Sequence, residues 1–100
     1  MEEAAGLRRR AVLMFVSPWD VNCRAVDQDV FADEDVCNLM REFVAIRLDA
    51  HLNQALMQSC RVDALPGFVI IRPDGQIVAT KTGALDASQF RMFLLTNLYH

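Results

Sequence analysis

The longest unbroken apolar run, AVLMFV at residues 11–16, does not alternate with polar positions. A strand with one wet face alternates, so a continuous run predicts a strand covered on both faces. Ser17 and Pro18 end it. Over residues 21–41 the period changes. Val26, Val30 and Phe31 form one apolar group at helical spacing, and Val36, Leu39, Met40 and Phe43 form another, with Ala-Asp-Glu-Asp at 32–35 between them. The pattern predicts two consecutive helices or one broken helix. Asp20 suits the N-cap of the first. Asp33 suits that of the second, with acidic residues favourably placed in its first turn. FVAIRLDA at 43–50 places Phe43, Ala45 or Ile46, and Leu48 in alternation and reads as a second strand. HLNQALMQSC at 51–60 sets Leu52, Ala55, Leu56 and Cys60 at helical spacing. FVIIR at 68–72 is a third strand, rich in β-branched and aromatic residues. PDG at 73–75 is a turn, and QIVATKT at 76–82 returns as the fourth strand of a hairpin. Gly83 breaks that strand. Asp86 or Ser88 opens a last helix with Phe90, Phe93, Leu94 and Leu98 on its inner face. EEAAGLRR at 2–9 reads as a short leading helix weakened by Gly6.

The predicted order is (α)-β-α-β-α-β-β-α, an α/β class with a mixed four-stranded sheet and helices on both faces. The reading expects two parallel crossovers through right-handed connections, then an antiparallel C-terminal hairpin. One hundred residues allow one domain. Hydrophobic residues make up 53% and charged residues 23%, the balance of a globular chain rather than a disordered one. The net charge of −3 argues against nucleic acid, and Arg8-Arg9-Arg10 is too short to read as more than a solvated patch. No run approaches a membrane span, so direct membrane insertion is not expected. The apolar run after the basic residues is too short for a signal peptide, and SPWD lacks a cleavage site.

Three cysteines, Cys23, Cys37 and Cys60, are too few and too far apart for a disulfide framework or a zinc site. His51 and His100 add no partner motif. No metal and no cofactor is expected. Cys37 and Cys60 read as core or near-core thiols. Asp49 and Asp63 have no evident convergent partners.

Candidate chemistry lies in SPWDVNC, residues 17–23, where a tryptophan at a helix start is followed four residues on by Cys23. This resembles the Trp-Cys-x-x-Cys site of thioredoxin-like proteins, with Asp20 in place of the first cysteine. Three further stretches carry the resemblance. DVFADEDV at 29–36 is similar to the segment after the active site in the C-terminal thioredoxin-like domain of the membrane reductase DsbD and in small disulfide-isomerase-like proteins. VDALPGFVIIRPDGQIV at 62–78 resembles the cis-proline loop, strand and hairpin of thioredoxins. TGALDASQF at 82–90 resembles their glycine bulge and last helix. The resemblance covers residues 11–98 of a single thioredoxin-like domain, residues 1–100, and implies the thioredoxin fold.

The same resemblance implies the chemistry such a site needs. A thiolate at the helix N-terminus attacks a disulfide, and a second thiol one turn on resolves the mixed disulfide. Asp20 supplies the charge of that thiolate but not its redox chemistry. Cys23 corresponds to the resolving cysteine, and the neighbouring carboxylate disfavours its anion. Met14 stands where thioredoxin carries a buried Asp, and reads as core. Pro66 corresponds to the cis-proline beside which an extended peptide pairs as one more strand. Leu65 precedes it, and Gly67 stands where thioredoxins usually have Thr, either opening a groove or relieving packing. Trp19 reads as a partner-facing aromatic, as a cover over the Pro66 loop, or as both.

Three functions follow. The first is a non-catalytic module that binds an extended peptide or protein partner through Trp19, Asp20, Val21, Asn22, Leu65, Pro66 and Gly67. The second is a thiol–disulfide oxidoreductase or isomerase-like protein using Cys23 alone with an external thiol such as glutathione. The third is a structural domain with a covered groove. The first is preferred here. The DsbD resemblance implies an extracytoplasmic domain of a larger protein, and the sequence leaves the oligomeric state open.

Overall fold

A computed structural model of the chain describes residues 9–98. The predicted leading helix lies, but for Arg9, outside the described residues. The elements are β1 (Ala11–Val16), α1 (Val21–Asp29), α2 (Glu34–Met40), β2 (Val44–Asp49), α3 (Gln54–Ser59), β3 (Gly67–Ile71), β4 (Ile77–Thr82) and α4 (Ala87–Thr96). The strands form one sheet in the order β2-β1-β3-β4.

β1 and β3 occupy its centre, and every residue of both is buried. That explains their unbroken apolar runs, since neither strand has a wet face. β2 lies at an edge and alternates, with Val44, Ile46 and Leu48 half-buried and Ala45, Arg47 and Asp49 exposed. β1 pairs with β2 in parallel. It pairs with β3 antiparallel, and β3 with β4 antiparallel. The expected second parallel crossover is therefore corrected: the sheet holds one parallel pair. The helix in the β2–β3 connection, α3, rises only about 9 Å, against roughly 20 Å for a six-residue strand, and the rest of residues 50–66 forms turns and loop, so the connection does not run back along the sheet and β3 starts where β2 finishes.

Two apolar clusters fill the two faces. Val12, Met14, Phe68 and Ile70 meet Val26, Val30, Val36, Phe90 and Leu94 from α1, α2, α4 and their flanks on one side. Met14 belongs to this core, as its sequence context indicated. Phe68 and Phe90 lie 4.7 Å apart, and Phe31 sets its edge against Phe90 at 5.7 Å. Such pairs add about 0.5–1.5 kcal/mol each beyond area burial. Leu13, Phe15, Val69 and Ile71 meet Cys60 and Val62 on the other face, beneath α3.

The helix ends follow the predicted caps. Asp33 accepts from Val36 N–H at 3.0 Å. Asp86, not Ser88, caps α4, and Gln89 reciprocates to complete a capping box. Arg10 is buried and donates to the Asn97 carbonyl at 3.0 Å, tying the far end of α4 to the start of β1. One amphipathic face is corrected. Leu52, Ala55 and Leu56 are exposed, and α3 buries none of its own residues. The Asp49 carboxylate accepts from His51 and Leu52 N–H, holding 51–53 in a turn, so the helix starts at Gln54. Met57 then faces inward in place of Leu56. No helix among the described residues is long and apolar enough to cross a membrane.

Candidate functional site

Antiparallel pairing of β1 and β3 brings the end of one strand to the beginning of the other, with Phe15 opposite Gly67. The segments 17–23 and 65–67, nearly fifty residues apart in sequence, therefore leave the sheet at the same end. This juxtaposition is the candidate site.

Ser17 organises the first segment. It is buried, its carbonyl accepts from Asp20 N–H at 3.2 Å, and its hydroxyl accepts from Trp19 N–H at 3.3 Å. Its own N–H donates to Cys23 Sγ at 3.4 Å. The sequence reading took Ser17 only as a strand terminator. The signal that was available is a serine before proline at a turn, where a hydroxyl often satisfies nearby backbone. The tight turn at 17–20 leaves Trp19 at 84% exposure, so its ring stands clear of the Pro66 loop instead of covering it. Val21 is exposed at 77%, and Pro18 and Asn22 are exposed too.

Asp20 is half-buried at the N-terminus of α1 and accepts from Cys23 N–H at 3.0 Å. The carboxylate thus satisfies one of the backbone donors that a helix start leaves without an intrahelical partner. Cys23 lies one turn on, at 2% exposure. Burial is the largest influence on its thiol and pushes the pKa up. The Ser17 N–H works the other way, while the Asp20 carboxylate, and more weakly Asp27, add to the rise. Net, the thiol holds its proton more firmly than an ordinary cysteine. Cys60 is buried and its pKa is raised by desolvation, and Cys37 donates its thiol to the Phe31 carbonyl at 3.2 Å. All three cysteines are unbridged. Among the described residues no cluster of His, Cys, Asp or Glu is arranged to hold a metal ion.

With Cys37→Ser and Cys60→Ala in place, Cys23 alkylation by iodoacetamide is expected to be slow through neutral pH. It should rise only above the ordinary thiol range, and denaturant should release it by on the order of tenfold or more. A fast native rate with an apparent pKa below about 8 would contradict this account of the thiol.

On the opposite side, the Leu65–Pro66 bond is cis, Pro66 is fully buried, and Leu65 is half-buried. The Pro66 carbonyl accepts from Gly83 N–H at 2.9 Å. Gly83 has φ +85°, a backbone angle that favours glycine, so the residue that breaks β4 also ties down the loop. The Leu65 N–H and C=O have no backbone partner among the described residues. Gly67 is buried, and a Cβ there would stand 2.3 Å from Val62 Cγ1. Of the two readings of Gly67, the packing one accounts for its small size. Val62 escaped the sequence reading because its partner is set by the tertiary fold.

The family model described as a thioredoxin-like domain matches residues 1–96. The thiol:disulfide interchange protein DsbD of Pseudomonas fluorescens is 26% identical over 96 residues, spanning 90% of this chain. The chain spans only 16% of that protein's length. A thioredoxin from Thermus thermophilus superposes with a TM-score of 0.83 at 23% identity, covering 95% of this chain and 78% of its own. The reduced C-terminal domain of Neisseria meningitidis DsbD gives 0.77 at 22% identity, covering 96% and 88%. At these identities the structural likenesses establish the thioredoxin fold.

Proposed function

We propose, since this chain belongs to the thioredoxin-like domain family, that it is a non-catalytic member which binds an extended peptide or protein segment at the groove between the Trp19 turn and the Pro66 loop. The family is related to disulfide oxidoreductases, and the departure from their chemistry rests on one observation. The helix N-terminus where an attacking thiolate belongs carries the Asp20 carboxylate, hydrogen-bonded to Cys23 N–H. A carboxylate forms no mixed disulfide, so no thiol waits there to be resolved.

What supports binding is the surface that remains. Trp19 and Val21 are bare apolar side chains beside the site. The Leu65 backbone offers one donor and one acceptor of the kind that an added strand uses. Asp20 and Asn22 flank Val21 on the same turn, while Pro66 and Gly67 are buried and set the backbone course that leaves Leu65 unpaired.

A second reading keeps Cys23 as a single thiol that exchanges with glutathione. The Ser17 N–H favours that reading, because it stabilises the thiolate. Burial and the Asp20 charge outweigh it, and the net shift is upward.

Trp19 is the sole tryptophan, so its fluorescence reports on this site alone. Titration with reduced, carboxymethylated unfolded polypeptide is expected to shift its emission to shorter wavelength as the ring leaves water. Trp19→Ala should weaken binding by about tenfold or more, in the range of an interface anchor. An emission spectrum that no unfolded chain perturbs, together with unchanged affinity in Trp19→Ala, would rule the groove out.

A further inference from the structure

β4 ends the sheet, with β3 on one side and no strand on the other among the described residues. The pairing decides which of its backbone groups face that open edge. Gly83 N–H donates to the Pro66 carbonyl, so these two residues form a bonded pair. Bonded and non-bonded pairs alternate along an antiparallel ladder. Phe68 and Lys81 are therefore bonded, while Gly67 with Thr82 and Val69 with Thr80 are not. The N–H and C=O groups of Thr80 and Thr82 point away from β3. Lys81, between them, lies on the α4 side of the sheet, as does Phe68 opposite it.

A cavity of about 370 Å³ runs between this edge and α4. Met92 and Phe93 form its apolar wall, and Met92 is 59% exposed. Lys81, the sole lysine of the chain, is the only charged residue lining it. It has no ion-pair partner among the described residues. The nearby Asp86 carboxylate caps α4, where it accepts from Gln89 N–H, and stays outside the lining. We infer that the β4 edge and this cavity form a second docking surface, which takes an extended acidic segment of a partner protein as an added antiparallel strand. One carboxylate of that segment faces Lys81, and aliphatic side chains cover Met92 and Phe93. The surface shares no lining residue with the groove between Trp19 and Pro66, so it does not depend on that reading.

A strand bonded to Thr80 and Thr82 sets one residue directly opposite Lys81 in a non-bonded pair, with Cα atoms only about 4.5 Å apart. Opposed side chains share a face. That residue therefore projects to the cavity side, as do those two positions before and after it. Charge selects the occupant. Opposite charges facing each other across strands stabilise the pair, and like charges destabilise it. A second copy of this chain paired about Lys81 would set two ammonium groups face to face, which disfavours self-pairing. An edge lysine deters neutral strands as well, because its ammonium would give up water without a partner. A facing carboxylate turns the same guard into a contact.

The test is an NMR titration of ¹⁵N-labelled protein with blocked peptides Ser-Val-Thr-X-Thr-Val-Ser at millimolar concentration, where X is Glu, Gln or Lys. The expected result is perturbation of the Thr80, Lys81, Thr82 and Met92 amides, with the Glu peptide about threefold tighter than Gln and Lys weakest. Methylating the backbone nitrogens of both peptide threonines removes the donors that meet Thr80 and Thr82 and should abolish binding. Lys81→Glu, at an exposed position, should reverse the order and make the Lys peptide tightest. Lys81→Gln should erase the preference if the first variant does not fold. Shifts at β4 that are indifferent to X, to methylation or to the Lys81 variants overturn the inference. Shifts confined to Trp19 and Leu65 also overturn it and leave the groove reading standing, and no shift at Thr80 and Thr82 with any peptide overturns it outright. Shifts at β4 that follow protein concentration alone assign the edge to self-association and overturn it too.

Discussion

Asp20→Cys is expected to turn the site into a dithiol that reduces disulfides. The new thiol stands at the N-terminus of α1, in the position from which the Asp20 carboxylate now accepts the Cys23 N–H. Helix N–H groups and the local dipole stabilise an anion there and lower the pKa of a thiol below its usual value of about 8.5. The same substitution removes the charge that helps hold the Cys23 thiol protonated. The thiolate attacks a substrate disulfide, forms a mixed disulfide and expels one sulfur as thiolate. Cys23, deprotonated, then attacks the mixed disulfide, expels the second substrate thiolate and closes an intramolecular disulfide, which dithiothreitol reduces for the next cycle. Loss of the aspartate cap costs about 1 kcal/mol, which a folded domain of this size tolerates. Insulin reduction by the variant should exceed that of the wild type by on the order of a hundredfold, with a thiol alkylated rapidly at neutral pH. Asp20→Ser is the control, keeping a cap without a thiol. A variant no more active than wild type would overturn the proposal that Asp20 is what keeps the chain from reducing disulfides.

Gly67→Ala is expected to be among the most damaging single changes, although it adds one methyl group. A Cβ at this position would stand 2.3 Å from Val62 Cγ1. Val62 cannot swing aside cheaply: it is 5% exposed, packed with Leu13, Phe15 and Val69, and branched at Cβ. Backbone shift is equally restricted, because Gly67 pairs with Phe15 on one side and Thr82 on the other. Overpacking of this kind costs about 1–3 kcal/mol. For a domain of this size each kcal/mol lowers the melting temperature by roughly 4–8 °C. Val62→Ala alone leaves a void, yet combined with Gly67→Ala it removes the clash. The double variant should therefore be more stable than the sum of its parts, with a coupling of about 0.5–3 kcal/mol in a thermodynamic cycle. Additive losses would mean that Gly67 is small for the groove's sake rather than for packing.

Much of the fold is legible in the chain because it depends on local pattern. The unbroken AVLMFV run gives β1 its central place, and the alternation around Ile46 and Leu48 gives β2 its edge character. Asp20, Asp33 and Asp86 mark three helix starts, since a short acceptor side chain meets backbone donors only a few residues away. Where the period was read without its start point, it misled. Leu52 and Leu56 have the right spacing, but the Asp49 side chain fixes a turn that rotates the helix and leaves them exposed.

The site divides in the same way. That residue 20 holds a carboxylate, and that one cysteine remains a turn later, is sequence information and bounds the chemistry by itself. The rest depends on contacts that close only when distant segments meet. The burial of Cys23, the bare ring of Trp19, the clash that forbids a larger residue at 67 and the cavity beside Lys81 all arise from such contacts. Strand direction belongs with them, because the sheet is mixed not through any residue of β3 but through the short path of α3. The elements, their caps and the residue types at 20 and 23 can be read along the chain, because all are properties of sequence neighbours. Which side chains face water at the joined end of β1 and β3 follows from the folded chain, because burial there depends on pairs as distant in sequence as Phe15 and Gly67.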